Sequence, residues 1–202
     1  MGKTGQKHTK IIGITGNIGA GKSTITALLS SIPDSIIINL DKIGHSVLKK
    51  ETIKKKIVSL FGKYVITNNR LDREKIRKIV FYNSDILKKY NNIVHPELKK
   101  ELKKILSQKK NSYSFIFVEA ALLFEMKLET LMNKIILVRC NKLLSYYRLK
   151  KKMTFKEFNN IFNSQLPVKL KAKQSDLIIN NTFPIRFTKD KILRKITGFL
   201  NE

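Results

Sequence analysis

Cysteine and long apolar runs are scarce in this chain, and each scarcity excludes a class of protein. Cys140 is the only cysteine among the 202 residues, so no intrachain disulfide can form and a reducing compartment is favoured. No apolar run approaches the roughly 20 residues that a membrane-spanning helix needs. The first ten residues, MGKTGQKHTK, are polar and basic, and we expect neither a secretory signal nor a membrane anchor there. The sequence therefore predicts a cytoplasmic protein without membrane contact.

Acidic residues are also scarce, with 15 Asp and Glu against 41 Lys and Arg, which gives a formal charge of +26. A charge of this size usually suggests nucleic acid as a partner. Only seven of the basic residues are arginine, however, and the lysines lie along nearly the whole chain. A surface that binds the phosphates of nucleic acid favours arginine, whose planar guanidinium binds phosphate in bidentate fashion. We therefore expect no specific nucleic-acid partner, although the charge would help to attract a polyanionic substrate.

The most informative motif is a phosphate-binding loop. Gly16, Gly21, Lys22 and Ser23 complete the pattern G-x-x-x-x-G-K-[ST], with an apolar strand before the loop and a helix after it. Backbone N–H groups of such a loop cradle phosphates, the lysine reaches the β- and γ-phosphates, and the serine hydroxyl holds Mg²⁺. The motif thus predicts a nucleoside triphosphate site. The loop residues predicted to contact the nucleotide are Gly16, Asn17, Ile18, Gly19, Ala20, Gly21, Lys22, Ser23 and Thr24.

The order of segments predicts an α/β fold of the P-loop nucleotide-binding type. Short apolar segments alternate with helical ones, and such apolar strands are typical of a parallel sheet that is covered on both faces. The predicted strands are residues 11–15, 36–40, 115–119, 135–138 and 176–180. We expect these five strands to form one parallel sheet with helices on both faces.

Two long insertions interrupt this alternation. Residues 45–112 carry helical signals and predict a helical lobe that binds the substrate. One apolar stripe at helical spacing in this lobe comprises Val94, Leu98, Leu102 and Ile105. Residues 141–175 are basic and follow a core strand, which suits a helical lid. The predicted nucleotide-binding core then consists of residues 1–44, 113–140 and 176–202.

Asp41 is the first candidate for chemistry outside the loop. It comes directly after the second predicted strand, and the carboxyl ends of parallel strands share one crevice. Asp41 would therefore lie beside the γ-phosphate, where it could accept a hydroxyl proton or hold a water of Mg²⁺. A helix N-cap is an alternative role, compatible with the first. His45, one turn later, is interpreted as structural.

These residues resemble the dephospho-coenzyme A kinase family over about residues 10–181. The loop alone would be generic, but His95-Pro96 together with Leu122-Leu123-Phe124-Glu125 is specific to this family. The segments that carry the resemblance are Ile12 to Ser23, Leu40-Asp-Lys-Ile-Gly-His, Leu71-Asp-Arg, Ile79-Val-Phe, Ile93-Val-His-Pro, Ala121-Leu-Leu-Phe-Glu, Arg148-Leu, Gln165 and Asp176-Leu-Ile-Ile-Asn-Asn.

The resemblance implies that ATP phosphorylates the ribose 3′-hydroxyl of dephospho-coenzyme A, giving coenzyme A and ADP. It implies Asp41 as the catalytic base. Lys22, Mg²⁺ and Arg148 of the lid would neutralise charge on the transferred group. Ser23 and Asp41 are the predicted contacts of Mg²⁺. Lys152, four residues after Arg148, is expected on the same helical face.

Other candidates have both a functional and a structural interpretation. Arg73 and His95 are candidate acceptor contacts, but Arg73 could be a solvated charge and His95 a helix-start residue packed before a proline. Glu125 is a candidate acceptor contact or else a capping or ion-paired carboxylate. Asn181 would contact the adenine or form a strand-end turn. Glu119 could serve as a Walker-B-like acid near Mg²⁺, a role that no family signature supports.

The chain departs from the family pattern at several positions. Asn39 replaces the first Asp of an Asp-Ala-Asp motif, and Leu40 replaces its Ala. Ala121 stands in place of Pro, Lys152 in place of a second lid arginine, and Asn180 in place of Asp. None of these changes removes phosphate binding or the predicted base.

Three alternative functions are open on the sequence alone. Another P-loop kinase, acting on a nucleoside monophosphate or a small alcohol, would differ in its acceptor. A nucleic-acid-stimulated ATPase would use the charge, but no nucleic-acid module is present. A purely structural P-loop protein is disfavoured because Asp41 and a basic lid accompany the loop.

Overall fold

The computed structural model describes residues 8–201. Residues 1–7, which form most of the amino-terminal segment discussed above, lie outside the described residues, as does Glu202. Across the described range, no helix has both the length and the apolar character needed to cross a membrane.

A five-stranded parallel sheet forms the centre of the fold, as the sequence predicts. In chain order the strands are β1 (Lys10–Thr15), β2 (Ser35–Asn39), β3 (Ile66–Thr67), β4 (Arg70–Leu71), β5 (Phe115–Glu119), β6 (Lys134–Arg139) and β7 (Leu177–Asn180). The main sheet has the order β2-β5-β1-β6-β7, and β3 and β4 form a separate antiparallel hairpin. The phosphate-binding loop leaves the central strand β1, so its neighbours β5 and β6 end on either side of the loop.

Helices connect the strands and cover the sheet. Within residues 8–201 they are α1 (Lys22–Leu29), α2 (Leu40–Val47), α3 (Glu51–Phe61), α4 (Arg73–Val80), α5 (Ser84–Lys109), α6 (Lys142–Tyr147), α7 (Phe155–Ser164), α8 (Val168–Lys173) and α9 (Ile185–Asn201).

The two faces of the sheet support two apolar clusters, because successive side chains of a strand point to opposite faces. On β5, Phe117 packs in the cluster with residues of α1 and α9, such as Ile25 and Ile196. Its neighbours Ile116 and Val118 pack in the other cluster, with residues of α3 and α5. The predicted arrangement of helices on both faces is therefore confirmed.

The helical insertion between β2 and β5 follows the predicted stripe with one shift. Val94, Leu98 and Leu102 of α5 are buried, and the stripe ends on Leu106, while Ile105 is only partly buried. At the last turn of α5 the buried residue is therefore Leu106, one position later than the predicted Ile105.

Helix α4 begins at Arg73 and does not include Leu71 of the Leu71-Asp-Arg segment. Asp72 caps α4 by accepting hydrogen bonds from the backbone N–H groups of Glu74 and Lys75. Leu71 instead belongs to β4 of the hairpin, whose turn is formed by Asn68 and Asn69 in left-handed conformations.

Candidate active site

The phosphate-binding loop requires glycine at three positions. Gly16, Gly19 and Gly21 have φ values of 150°, 74° and 89°, a region that side chains disfavour. A Cβ atom on Gly16 would lie 2.1 Å from the carbonyl oxygen of Val138, and one on Gly21 would lie 2.1 Å from Nδ2 of Asn181. The glycines therefore let the loop pass between β6 and the segment after β7, and they leave its backbone free to turn toward an anion.

Lys22 is buried within this loop. Its ammonium Nζ donates hydrogen bonds to the carbonyl oxygens of Gly16 at 2.8 Å and Asn17 at 3.3 Å. Burial lowers the pKa of Lys22 to about 8, although the carboxylates of Asp41 and Glu119 act in the opposite direction. The ammonium is thus held where phosphate oxygens can replace the loop carbonyls as its partners.

The lowered pKa of Lys22 predicts that ATP affinity falls as the pH rises through about 8. Above that pH the free protein loses the charge that attracts phosphate, and binding must restore it by taking up a proton. Calorimetric titrations in two buffers of different ionisation enthalpy measure that proton uptake. We expect greater uptake at about pH 9 than at about pH 7. Equal uptake at both, with a flat affinity, would contradict this role of Lys22.

Glu119 lies at the centre of a hydrogen-bond network beside the loop. Its Oε1 accepts from Ser23 Oγ at 2.7 Å, and its Oε2 accepts from Thr26 Oγ1 at 3.0 Å and Asn39 Nδ2 at 3.1 Å. The register explains this meeting, because Glu119 is level with Asn39 on β2 and with Ile14 on β1. The structure thus places an acid beside the predicted Mg²⁺-binding serine, where sequence patterns gave only a weak signal.

Asn39, not Asp41, is the N-cap of α2. Its Oδ1 accepts a hydrogen bond from the backbone N–H of Lys42 at 3.0 Å, while its amide group donates to Glu119. Asp41 lies in the first turn of the helix and is exposed. The capping alternative for Asp41 is therefore wrong, and the family departure at position 39 supplies a cap and a donor at once.

A cavity of about 660 Å³ adjoins the loop. The three candidate acceptor contacts, Arg73, His95 and Glu125, all line it. Two residues of the predicted catalytic set, Lys22 and Asp41, line it as well. Ile18 and Gly19 of the loop also line it. One continuous space therefore joins the predicted phosphate donor site to the predicted acceptor site.

Basic groups are prominent in the wall of this cavity. Arg73 and Arg77 line it one turn apart on α4. The desolvation of His45, together with the charge of Arg73, lowers the pKa of that histidine. Burial likewise lowers the pKa of His95, against the opposing field of Glu125. Near neutral pH the arginines therefore carry the positive charge of this wall, and they suit an acceptor with phosphate groups.

His95 and Pro96 lie inside α5 rather than at a helix start. The helix runs continuously from Ser84, which is capped by Asn83, to Lys109. The structural alternative for His95 was therefore wrong, because the helix begins at the Asn83 cap and continues through the proline.

Arg148 packs against the phosphate-binding loop. It donates from Nη2 to the carbonyl oxygen of Asn181 at 2.7 Å and from Nη1 to that of Ala20 at 3.3 Å. Asn181 in turn donates from Nδ2 to Ala20 at 2.9 Å. Because α6 ends at Tyr147 and turns follow, the helical face that Arg148 and Lys152 were expected to share does not exist.

Three residues near the site were not among the site residues predicted from the sequence. Arg77 follows Arg73 at one helical turn, a spacing that could have indicated it. Gln165 occurred in the family resemblance without a role, and its Oε1 accepts a hydrogen bond from the backbone N–H of Ile18 at 2.8 Å. Lys171 is completely buried and pairs with Glu125, but a lysine-rich sequence gives no sign of which lysine is buried.

The dephospho-CoA kinase family model matches residues 10–185. This chain belongs to the dephospho-CoA kinase family. A dephospho-CoA kinase from Borreliella burgdorferi is 33% identical over 203 residues, which cover 96% of this chain and 97% of that protein. Among solved structures, a Thermus thermophilus protein is 30% identical with a TM-score of 0.77, covering 96% of this chain and 98% of its own. Dephospho-CoA kinase from Campylobacter jejuni is 26% identical with a TM-score of 0.67, covering 95% and 97%.

Family membership makes the chain a kinase of coenzyme A biosynthesis that uses ATP to phosphorylate dephospho-CoA. It confirms the family resemblance that the sequence motifs indicated. Within residues 8–201, no cluster of three or more His, Cys, Asp or Glu side chains forms a metal cage. The Ser23 hydroxyl and the neighbouring Glu119 carboxylate instead fit the usual Mg²⁺ site of such enzymes, in which few protein groups bind the ion and waters and substrate phosphates complete its shell.

Proposed function

We propose that this chain transfers the γ-phosphoryl group of ATP to the ribose 3′-hydroxyl of dephospho-CoA, with Asp41 as the general base. The observation that carries this proposal is the single cavity that contains Lys22 and Asp41 together with Arg73 and His95. A donor loop and an acceptor wall that share one space meet the positional requirement of direct phosphoryl transfer.

The donor half consists of the loop and its supports. Backbone N–H groups of residues 16–24 hold the phosphates of ATP, and the ammonium of Lys22 neutralises charge on the transferred group. Ser23 would hold Mg²⁺, with Glu119 and Asp41 as acceptors for its waters. When bound, Mg²⁺ neutralises the charge of the phosphates. Arg148 and Asn181 keep the loop in shape in this structure, and we assign them contacts with the bound nucleotide.

The acceptor half brings a hydroxyl to Asp41. The carboxylate takes the hydroxyl proton as the ribose oxygen forms its bond to the γ-phosphorus, and the bond to the β-phosphate oxygen breaks to release ADP. The guanidinium groups of Arg73 and Arg77 suit the diphosphate of dephospho-CoA. His95 and Glu125 would fix the acceptor from α5 and from the segment after β5.

Residues 45–112 form the acceptor lobe, and residues 141–175 act as a lid that carries Arg148 over the donor. The small-molecule acceptor, and not nucleic acid, is the partner of the basic surface. The free thiol of Cys140 suits the cytoplasm, where we place the reaction.

An acceptor panel tests the proposal. The purified protein with Mg-ATP should release ADP faster when dephospho-CoA is added, and not when a nucleoside monophosphate, a small alcohol or DNA is added. Stimulation by a nucleoside monophosphate alone would indicate another P-loop kinase. Stimulation by DNA that is lost steeply with salt would indicate a nucleic-acid-dependent ATPase.

A further inference from the structure

Lys171 is a completely buried lysine in α8, within the predicted lid. Its ammonium donates to the carbonyl oxygen of Ala121 at 2.8 Å and pairs with Glu125 Oε1 at 2.9 Å. Burial lowers the pKa of Lys171, and the Glu125 carboxylate opposes that shift. An ammonium removed from water is costly unless a partner of opposite charge and further hydrogen bonds compensate for it. Both are present here, so the ammonium and the carboxylate hold each other in place.

Glu125 has one satisfied and one unsatisfied oxygen. Oε1 accepts from Lys171 and from the backbone N–H of Leu166 at 2.7 Å. Oε2 is buried and has no hydrogen-bond partner among the described residues. An unpartnered buried carboxylate oxygen costs free energy, and a ligand that donates a hydrogen bond to it would remove that cost. Glu125 and His95 both line the cavity. The missing hydrogen-bond donor would therefore come from a molecule bound in the part of the cavity that is predicted to hold the phosphoryl acceptor.

The segment directly before α8, the helix that carries Lys171, also touches the phosphate-binding loop. Gln165 accepts from the backbone N–H of Ile18, and the next residue, Leu166, donates to Glu125. One short segment between α7 and α8 therefore contacts the phosphate donor loop on one side and the acceptor wall on the other. The contact of Gln165 with the loop does not involve Lys171. A change at Lys171 should therefore alter the KM for dephospho-CoA and leave the KM for ATP nearly unchanged.

We propose that Lys171 is a positioning residue of the acceptor site, which holds the Glu125 carboxylate in place at the cavity wall so that it can accept a hydrogen bond when dephospho-CoA binds. This inference rests on the proposed function. Lys171 itself does not touch the acceptor and acts through Glu125. The lid segment thereby contributes to the affinity for dephospho-CoA as well as to covering ATP.

The test is a double-mutant cycle with Lys171→Met and Glu125→Gln. Each single variant should raise the KM for dephospho-CoA about tenfold, the loss expected for one hydrogen bond to a charged group, with the KM for ATP nearly unchanged. The double variant should be no worse than the worse single variant, because both changes remove the same interaction. Lys169→Met, which removes an exposed lysine from the same helix, is the matched control and should leave both KM values unchanged.

Thermal unfolding separates positioning from a merely structural role. Lys171→Met leaves a buried carboxylate without its partner and should lower the Tm. Glu125→Gln in that background should recover part of the Tm but not the KM. If the KM for dephospho-CoA recovers together with the Tm, or is unchanged in Lys171→Met, the inference is wrong. Wild-type protein that fails to phosphorylate dephospho-CoA would instead overturn the proposed function.

Discussion

Replacement of Asp41 by asparagine is expected to lower kcat for dephospho-CoA phosphorylation about a hundredfold or more, the usual loss for a general base. The amide keeps the size of the side chain but cannot take the hydroxyl proton. Asp41 is exposed to the cavity and does not cap α2, so the helix should form as before. The Kd for ATP should stay nearly the same, because we propose that the loop and Lys22, and not Asp41, hold the nucleotide. Steady-state kinetics and a nucleotide titration measure both quantities.

The control for this change is Asp190→Asn, which removes an exposed carboxylate on α9. It should leave kcat and ATP affinity unchanged. If Asp41→Asn hardly changes kcat, the base is another group of the cavity. If it instead weakens ATP binding as strongly as it slows turnover, Asp41 acts chiefly through Mg²⁺ and not on the hydroxyl.

Replacement of Lys22 by methionine is expected to lower kcat/KM for ATP by at least about a hundredfold, since it removes the ammonium that we propose neutralises charge on the transferred group. Methionine fills much of the buried space but makes no hydrogen bond to Gly16 or Asn17, whose carbonyls the ammonium now contacts. In contrast to Asp41→Asn, this change should affect ATP binding as well as turnover. Kinetics at varied ATP, together with an ATP titration, distinguish the two variants.

Lys103→Met is the matched control, because Lys103 is exposed on α5. It should retain full activity at moderate salt, which would show that the general excess of lysine is not what binds ATP. Normal ATP binding by a folded Lys22→Met variant would contradict the donor site described here. Circular dichroism checks that both variants fold.

The sequence predicts the strand, loop and helix of the donor side because local rules determine them. The loop pattern requires a strand before it and a helix after it, and β1 and α1 provide both. The parallel order of the strands then accounts for Asp41, which must emerge at the same edge of the sheet. Each of these inferences depends on neighbours in the chain and on one general property of parallel sheets.

The remaining parts of the site depend on contacts between distant segments, which spacing alone does not reveal. Glu119 meets Ser23 and Asn39 only through the register of three strands. The burial of Lys171 depends on how α8 packs against the segment after β5. Likewise, the end of α6 before Arg148 was not visible in a helical-looking sequence, although Asn141 at its start is a recognisable cap.

The position of the new phosphate in the product shows directly whether this chain phosphorylates the ribose 3′-hydroxyl of dephospho-CoA. Wild-type protein should be incubated with Mg-ATP and dephospho-CoA, and the product examined by ³¹P and ¹H NMR. We expect one new phosphate on the ribose 3′-hydroxyl, formed in equal amount to ADP, and its loss in Asp41→Asn. ADP released without a phosphorylated acceptor, or a phosphate attached at another hydroxyl, would contradict the proposed function.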